Sequence, residues 1–131
     1  MNQSARFYLC LGVAFAFLSV LLGAFGAHGL KAHIMPSMMS VYNTAVQYQM
    51  FHAIALFLVG ILLQIIVSTD LQAKRIRQAG NLFFVGIVLF CGSLYLLAVT
   101  NIKILGAITP IGGLAFILAW AVLFLAIYRT D

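Results

Sequence analysis

Four long apolar segments, free of charged side chains, constrain this chain more than any other feature of its sequence. They run Phe7–Ala27, Thr44–Val67, Gly80–Val99 and Ile104–Tyr128, and none contains Asp, Glu, Lys or Arg. A segment of roughly 20 apolar residues can cross the hydrocarbon core as a helix, because a helix satisfies its own backbone hydrogen bonds there. The sequence therefore predicts an all-α fold, an integral membrane four-helix bundle.

The composition supports a membrane protein built as one unit. Hydrophobic residues make up 65% of the 131 residues and charged residues 7%, more apolar surface than a soluble core of this size could hide. Residues 1–131 are expected to form a single transmembrane domain.

Cys10 and Cys91 both lie in apolar segments without any disulfide pattern, so we interpret them as small buried hydrophobic residues.

The basic residues predict the orientation of the bundle. If the chain crosses four times, both termini and the loop between the second and third spans share one side. The basic residues divide five to two, with Arg6, Lys74, Arg75, Arg77 and Arg129 on that side and Lys31 and Lys103 on the other. The positive-inside rule then predicts that both termini are cytoplasmic. No extended basic patch remains outside the spans, so the net charge of +5 does not indicate nucleic acid binding.

Two residues predict where helices begin. Proline is tolerated in the first turn because its missing N–H is not needed there, so a helical lead-in to the second span should start at Pro36. Asp70 is expected to cap a helix that continues through the basic residues 74–77 into the third span.

The candidate site is a cluster of polar residues together with one proline, Pro110. In the predicted orientation its members lie in the outer half of the membrane, where unpaired polar groups are costly and should face one another. Tyr48 and His52, four residues apart, share a helical face. The candidate ligand-binding residues are His28, Tyr48, Gln49, His52, Ser93, Tyr95, Thr109 and Pro110. The pattern fits two interpretations, a hydrogen-bond network that locks the helices together or a pocket.

Four stretches of the sequence resemble the domain-of-unknown-function 423 family, whose eukaryotic relatives form a transmembrane protein 256-like group. The stretches are GAFGAHGL (Gly23–Leu30), YQMFHAIAL (Tyr48–Leu56), GSLYLLA (Gly92–Ala98) and ITPIGGLAFILAW (Ile108–Trp120), in the family's order. The resemblance implies a multi-pass, four-span protein of the bacterial inner membrane. It implies no activity, since the family is named for lacking one.

The residue types argue against several chemical functions. The outer histidines and methionines lack the paired spacing of a metal site, so no metal ligand is assigned. No carboxylate or arginine lies within a span, which disfavours ion-coupled transport and leaves nothing to orient a catalytic histidine. No cation within the membrane could neutralise haem propionates. We therefore expect a protein that is not an enzyme and has no catalytic residue, and the sequence leaves its cofactors unknown.

Binding of a lipid or a small molecule in the outer polar pocket is the leading hypothesis for the function. The alternative is an accessory or structural subunit of a membrane complex, and metal handling or transport ranks below both. The expected partners are membrane lipids, and a homo-oligomer or a larger membrane complex is compatible with the pattern.

The orientation can be tested by thiol labelling of intact cells. A cysteine at Met38, in the predicted outer loop, should react with a membrane-impermeant maleimide, whereas one at Ala73, in the predicted cytoplasmic loop, should react only after lysis. The unsubstituted chain is the control for Cys10 and Cys91. The reverse labelling pattern would overturn the predicted orientation and move the polar cluster to the cytoplasmic half.

Overall fold

The computed structural model describes residues 1–128, and over that range it contains helices and connecting loops but no strand. The four helices are α1 (Gln3–Leu30), α2 (Pro36–Ile65), α3 (Asp70–Thr100) and α4 (Lys103–Tyr128). Each has 26 to 31 residues and is apolar enough to cross a membrane, which confirms the all-α, four-helix prediction. Arg129, which contributes to the predicted orientation, lies outside the described residues, and that orientation stays a prediction.

The helix ends follow local sequence signals. α2 begins at Pro36, which confirms the predicted helix start. The predicted cap of α3 was wrong by one residue, because the N-cap is Thr69, whose hydroxyl accepts from the Gln72 N–H at 3.1 Å. Thr69 has the extended backbone that a capping residue needs, whereas Asp70 is already the first helical residue. α3 stops where Asn101 adopts a left-handed backbone with φ 57°, which asparagine tolerates.

Three short segments depart from α-helical geometry. α1 ends in a π-helical turn (Gly26–Leu30), α3 contains one at Ile87–Cys91, and α4 opens with a 3-10 turn (Lys103–Ala107) before its α-helical part. Single π turns within α-helices widen the turn and occur often at functional sites. The π turn of α3 lies beside residues of the candidate site.

The helices pair as two antiparallel hairpins, α1 with α2 and α3 with α4, and the hairpins meet through α2 and α3. The largest side chains of the interior are fully buried: Leu56, Val59, Ile76 and Phe83. Large apolar side chains also cover the outside, where Phe17, Ile117 and Phe124 are 63%, 67% and 63% exposed. An outer surface of this kind suits lipid and not water.

The seam between α1 and α2 is so close that backbone meets backbone. Small buried residues recur every seven positions along α1: Ala5, Gly12, Ser19 and Gly26. A β-carbon added at Gly12 would lie 2.6 Å from Phe57 N and 2.8 Å from Ala53 O. One added at Gly60, across the seam, would lie 2.9 Å from Ala5 O. Because apolar burial brings helices together only weakly in lipid, close packing of this kind supplies the attraction between them.

Gly12→Ala should therefore lower the thermal unfolding midpoint of the protein in mild detergent. The added methyl group meets backbone atoms that cannot rotate away, and overpacking of this kind costs about 1–3 kcal/mol. Gly92→Ala is the matched control, because a β-carbon there meets nothing within 4 Å. Equal midpoints for the two variants in circular dichroism melts would contradict the close seam.

Candidate functional site

The residues of the predicted cluster divide into three hydrogen-bonded sets and two outliers. The end of the bundle with loop 31–35 and turn 101–102 is the Lys31 end, and the opposite end, with loop 66–69, is the Lys74 end. The cluster lies between the Lys31 end and the middle of the bundle. His28 and Pro110 join none of the sets: both are exposed, His28 on the π turn that ends α1 and Pro110 in the first α-helical turn of α4.

Gln49 ties three helices together in the first set. Its side chain is 3% exposed, Nε2 donates to Phe15 O of α1 at 3.0 Å, and Oε1 accepts from the Tyr95 hydroxyl of α3 at 2.8 Å. The ring of Tyr42 stands against that of Tyr95, with centroids 5.2 Å apart, and its hydroxyl donates to Leu22 O at 2.6 Å. These bonds satisfy polar groups that hydrocarbon could not, so the set acts as a lock between helices.

His52 is the centre of the second set, between α2 and α4. Its side chain is 6% exposed and its ring stacks on Phe116, with centroids 3.5 Å apart and planes inclined by 11°. The indole Nε1–H of Trp120 donates to His52 Nε2 at 3.3 Å, because an indole nitrogen can only donate. The proton of the neutral ring is therefore on Nδ1, which donates to Tyr48 O at 2.7 Å. Both ring nitrogens are engaged within the chain.

The third set joins α3 to α4 at the π turn. The Ser93 hydroxyl donates to Phe90 O at 3.0 Å, and Thr109 Oγ1 lies 2.7 Å from Ser93 Oγ. Since the single hydrogen of Ser93 goes to Phe90, Thr109 is the donor of the second bond. Gly112 permits this approach, because a β-carbon there would collide with the backbone nitrogen of Phe90.

Two open cavities follow one another along one face of α2. The first, of about 560 Å³, lies at the Lys31 end, and the second, of about 430 Å³, lies deeper in the bundle. Gln47 lines both, and we call the two cavities together the α2 groove. Its mouth is lined by Pro36 and Met39 and by the polar side chains of Lys31, Ser40, Asn43, Thr44 and Gln47. Its floor consists of Tyr48, Phe51, His52 and Trp120. Tyr48 and His52 are thus the members of the predicted cluster that line a cavity.

The polar residues of the mouth were missed as a site, although the sequence carries their signal. Ser40, Asn43, Thr44 and Gln47 follow at spacings of three and four, which puts them on one helical face. The Thr44 hydroxyl donates to Ser40 O at 3.1 Å. The side chains of Ser40, Asn43 and Gln47 make no hydrogen bond within residues 1–128 and are exposed. Within residues 1–128 these three side chains are therefore free to bind water or another component of the membrane.

A further group of polar contacts, at the Lys74 end, was not predicted. The Tyr8 hydroxyl of α1 lies 2.7 Å from Asn81 Oδ1 and 3.0 Å from Arg77 O, both in α3. Gln72, which is 3% exposed, donates from Nε2 to Ala126 O of α4 at 3.1 Å. No spacing along the chain reveals these pairs, because only the packing of the helices brings the partners together.

Of the two cysteines one is buried and one is exposed, and the described residues form no metal-binding group. Cys91 is buried, as interpreted from the sequence, whereas the interpretation of Cys10 was wrong, since it is exposed on the outward face of α1. An apolar segment in a membrane protein has a lipid-facing side, and Cys10 lies on it. No group of three or more His, Cys, Asp or Glu side chains that could hold a metal ion occurs in the described part of the chain.

These features define a small multi-pass membrane protein of four apolar helices that are joined by internal polar bonds. Residues 22–113 match the family described as protein of unknown function (DUF423), and the chain belongs to that family. It is 48% identical to the UPF0382 membrane protein YwdK of Bacillus subtilis (strain 168), over 92% of this chain and 95% of the relative. It is 43% identical to the UPF0382 membrane protein SH2409 of Staphylococcus haemolyticus, over 95% and 97%. No solved structure matches the chain.

Tyr95→Phe should destabilise the bundle more than Tyr48→Phe. The first change removes the donor to Gln49 Oε1, whereas the Tyr48 hydroxyl has no hydrogen-bond partner in the described residues. We expect a loss of about 0.6 kcal/mol for Tyr95→Phe, the average for such bonds in membranes, and at most about 1.7 kcal/mol, with little change for its control. The free energies of unfolding of both variants can be measured in mixed detergents. Equal losses would mean that the bond to Gln49 does not stabilise the bundle.

Proposed function

We propose that this protein binds a membrane lipid in the α2 groove. The observation that carries the proposal is that the two cavities share Gln47, the residue at which the polar mouth and the aromatic floor meet. A lipid presents the same order of chemistry, from a polar headgroup through glycerol esters to an acyl chain. Apolar walls with a few placed polar groups are also the usual composition of a ligand site.

The length of the groove suits the upper part of one phospholipid. Phe51 lies 11 residues beyond Ser40 on α2, or roughly 16 Å along the helix axis. That distance accommodates a headgroup, the glycerol and the first carbons of an acyl chain, and the rest of the chain can continue along the outer surface. Phe51 and Trp120, 61% and 46% exposed, offer aromatic faces to it.

Gln47 is the residue at which polar contacts give way to apolar ones. Its amide is exposed one turn inside the apolar segment that begins at Thr44. An amide without a partner costs free energy in hydrocarbon, and the ester carbonyls of a lipid are acceptors at the matching depth. We therefore assign Gln47 to the glycerol esters and Phe51 and Trp120 to the acyl chain.

His52 shapes the floor in this proposal and does not act as a free polar group. Its two nitrogens are already bonded within the chain, and its ring is fixed between Phe116 and the indole of Trp120. The proposal requires no catalytic step and no cofactor. In the predicted orientation the groove opens to the outer leaflet of the bacterial inner membrane, with both termini cytoplasmic, and these placements are part of the proposal.

The accessory-subunit hypothesis would use a different surface. α1 is the least buried of the four helices, and its outward face is apolar, with Phe7, Phe17 and Phe25 each more than half exposed. A partner protein or a second copy of the chain could pack there. The two hypotheses differ in what should accompany the purified protein, a lipid in the first case and a protein in the second.

Native mass spectrometry of protein purified in mild detergent tests the proposal. The wild type should retain one phospholipid mass per chain, and Gln47→Leu should reduce the retained fraction about two- to tenfold, because one hydrogen bond of about 0.5–1.5 kcal/mol is lost. Gln78→Leu, at an exposed glutamine of α3 near the Lys74 end, is the matched control and should retain lipid as the wild type does.

Two outcomes would count against lipid binding in the groove. If the wild type carries no lipid, or if Gln47→Leu and Gln78→Leu lose lipid equally, the groove is not the site. A stoichiometric second protein in the same spectra would favour the accessory-subunit hypothesis instead.

A further inference from the structure

Resting on the proposed function, we infer that the α2 groove selects lipids whose headgroup carries a net negative charge, with Lys31 as the cation that recognises the phosphate. The first step concerns the charge of Lys31. The chain has two acidic side chains, Asp70 and Asp131. Among the described residues Asp70 is the only carboxylate side chain, and it starts α3 at the opposite end of the bundle.

The distance between Lys31 and Asp70 excludes neutralisation within the described chain. α2 lies between them with 30 residues, or about 45 Å of helix. Charges interact little in solution beyond about 8 Å at physiological salt. The ammonium group at the mouth therefore takes its counter-charge from outside the described residues.

The position of Lys31 is fixed by the fold. It follows the π turn of α1, and its backbone N–H donates to Gly26 O at 3.0 Å. The loop then returns to α2 at Pro36, so that Lys31, Ser40 and Asn43 line the same cavity. This places a cation beside a hydroxyl and an amide, which can all donate to phosphate oxygens.

The mouth also lacks a group that would hold a cationic headgroup. Its polar lining consists of Lys31, Ser40, Asn43, Thr44 and Gln47, none of which is acidic. The ammonium of a zwitterionic lipid would find no carboxylate there and would be repelled by Lys31. An anionic glycerophospholipid such as phosphatidylglycerol pairs with the lysine without that penalty.

A competition experiment with matched lipids tests this selectivity. Delipidated full-length protein in neutral detergent is titrated with phosphatidylglycerol or phosphatidylcholine of the same acyl chains, and the bound lipid is counted by native mass spectrometry. The wild type should bind phosphatidylglycerol about fivefold more tightly, the effect of roughly one interfacial lysine. Lys31→Gln should remove that preference and leave phosphatidylcholine binding unchanged or improved.

Lys103→Gln is the matched control for net charge. Lys103 is the other lysine at the Lys31 end, it is exposed, and it does not line the groove. Lys103→Gln should keep the preference for phosphatidylglycerol. If the two lysine variants lose the preference equally, the lipid is attracted by overall charge and the assignment to Lys31 fails.

The remaining outcomes separate this inference from the proposed function. Equal binding of both lipids by the wild type, with loss of both in Gln47→Leu, would overturn the headgroup inference and leave lipid binding in place. Absence of binding for either lipid would overturn both. Competition by soluble glycerol phosphate at concentrations equal to those of the lipid would mean that the site recognises free phosphate, and the assignment to a lipid would fall.

Discussion

The backbone contact between α1 and α2 is the constraint on which the rest of the structure depends. The two helices approach so closely at Gly12 and Gly60 that a β-carbon at either position would collide with the backbone of the other helix. At that separation the amide of Gln49 reaches Phe15 O across the seam, which fixes the rotation of α2 about its own axis. One face of α2 is thereby turned to α1, the face with His52 is turned to α4, and the face with Gln47 is left outside.

Polar side chains inside the bundle show how a membrane protein satisfies its own hydrogen bonds. The bonds of Gln49, His52 and Ser93 each join different helices, so the loss of one partner would leave the other unpaired in an apolar medium. Ser19 is an exception among the described residues, since its hydroxyl is buried without a partner. It lies one turn beyond Phe15, whose carbonyl already accepts from Gln49.

The mouth of the α2 groove contrasts with that interior. Inside, a polar group that has no partner is rare, whereas Ser40, Asn43 and Gln47 stand in one row without a bond to any described residue. Water and headgroups can satisfy such a row near the membrane surface, but Gln47 already lies within the apolar part of α2. The same packing that satisfies the interior thus leaves one polar face open beside the aromatic floor, and the functional proposal follows from that difference.

Much of this architecture follows from the sequence alone. Four uncharged apolar segments require four helices in a membrane, because no soluble core could bury them, and Pro36 marks a helix start for a local steric reason. Polar residues in the spans also indicated that their side chains would face one another, either as a hydrogen-bond network between helices or as a pocket. The sequence could not predict which helix each polar side chain would bond to. Gln49 and His52 are three residues apart on one helix, yet they face different neighbours.

What the tertiary structure decided is which atoms meet. The pairs Gln49–Tyr95 and His52–Trp120 are separated by 46 and 68 positions along the chain, and Tyr8 finds Asn81 at a separation of 73. Periodicity gives the face of a helix on which a residue lies, but not the rotation and depth at which that helix packs. Those are set by where glycines allow backbones to touch, so the sequence by itself determined four membrane helices, and the seam between α1 and α2 decided that Gln47 would face a groove.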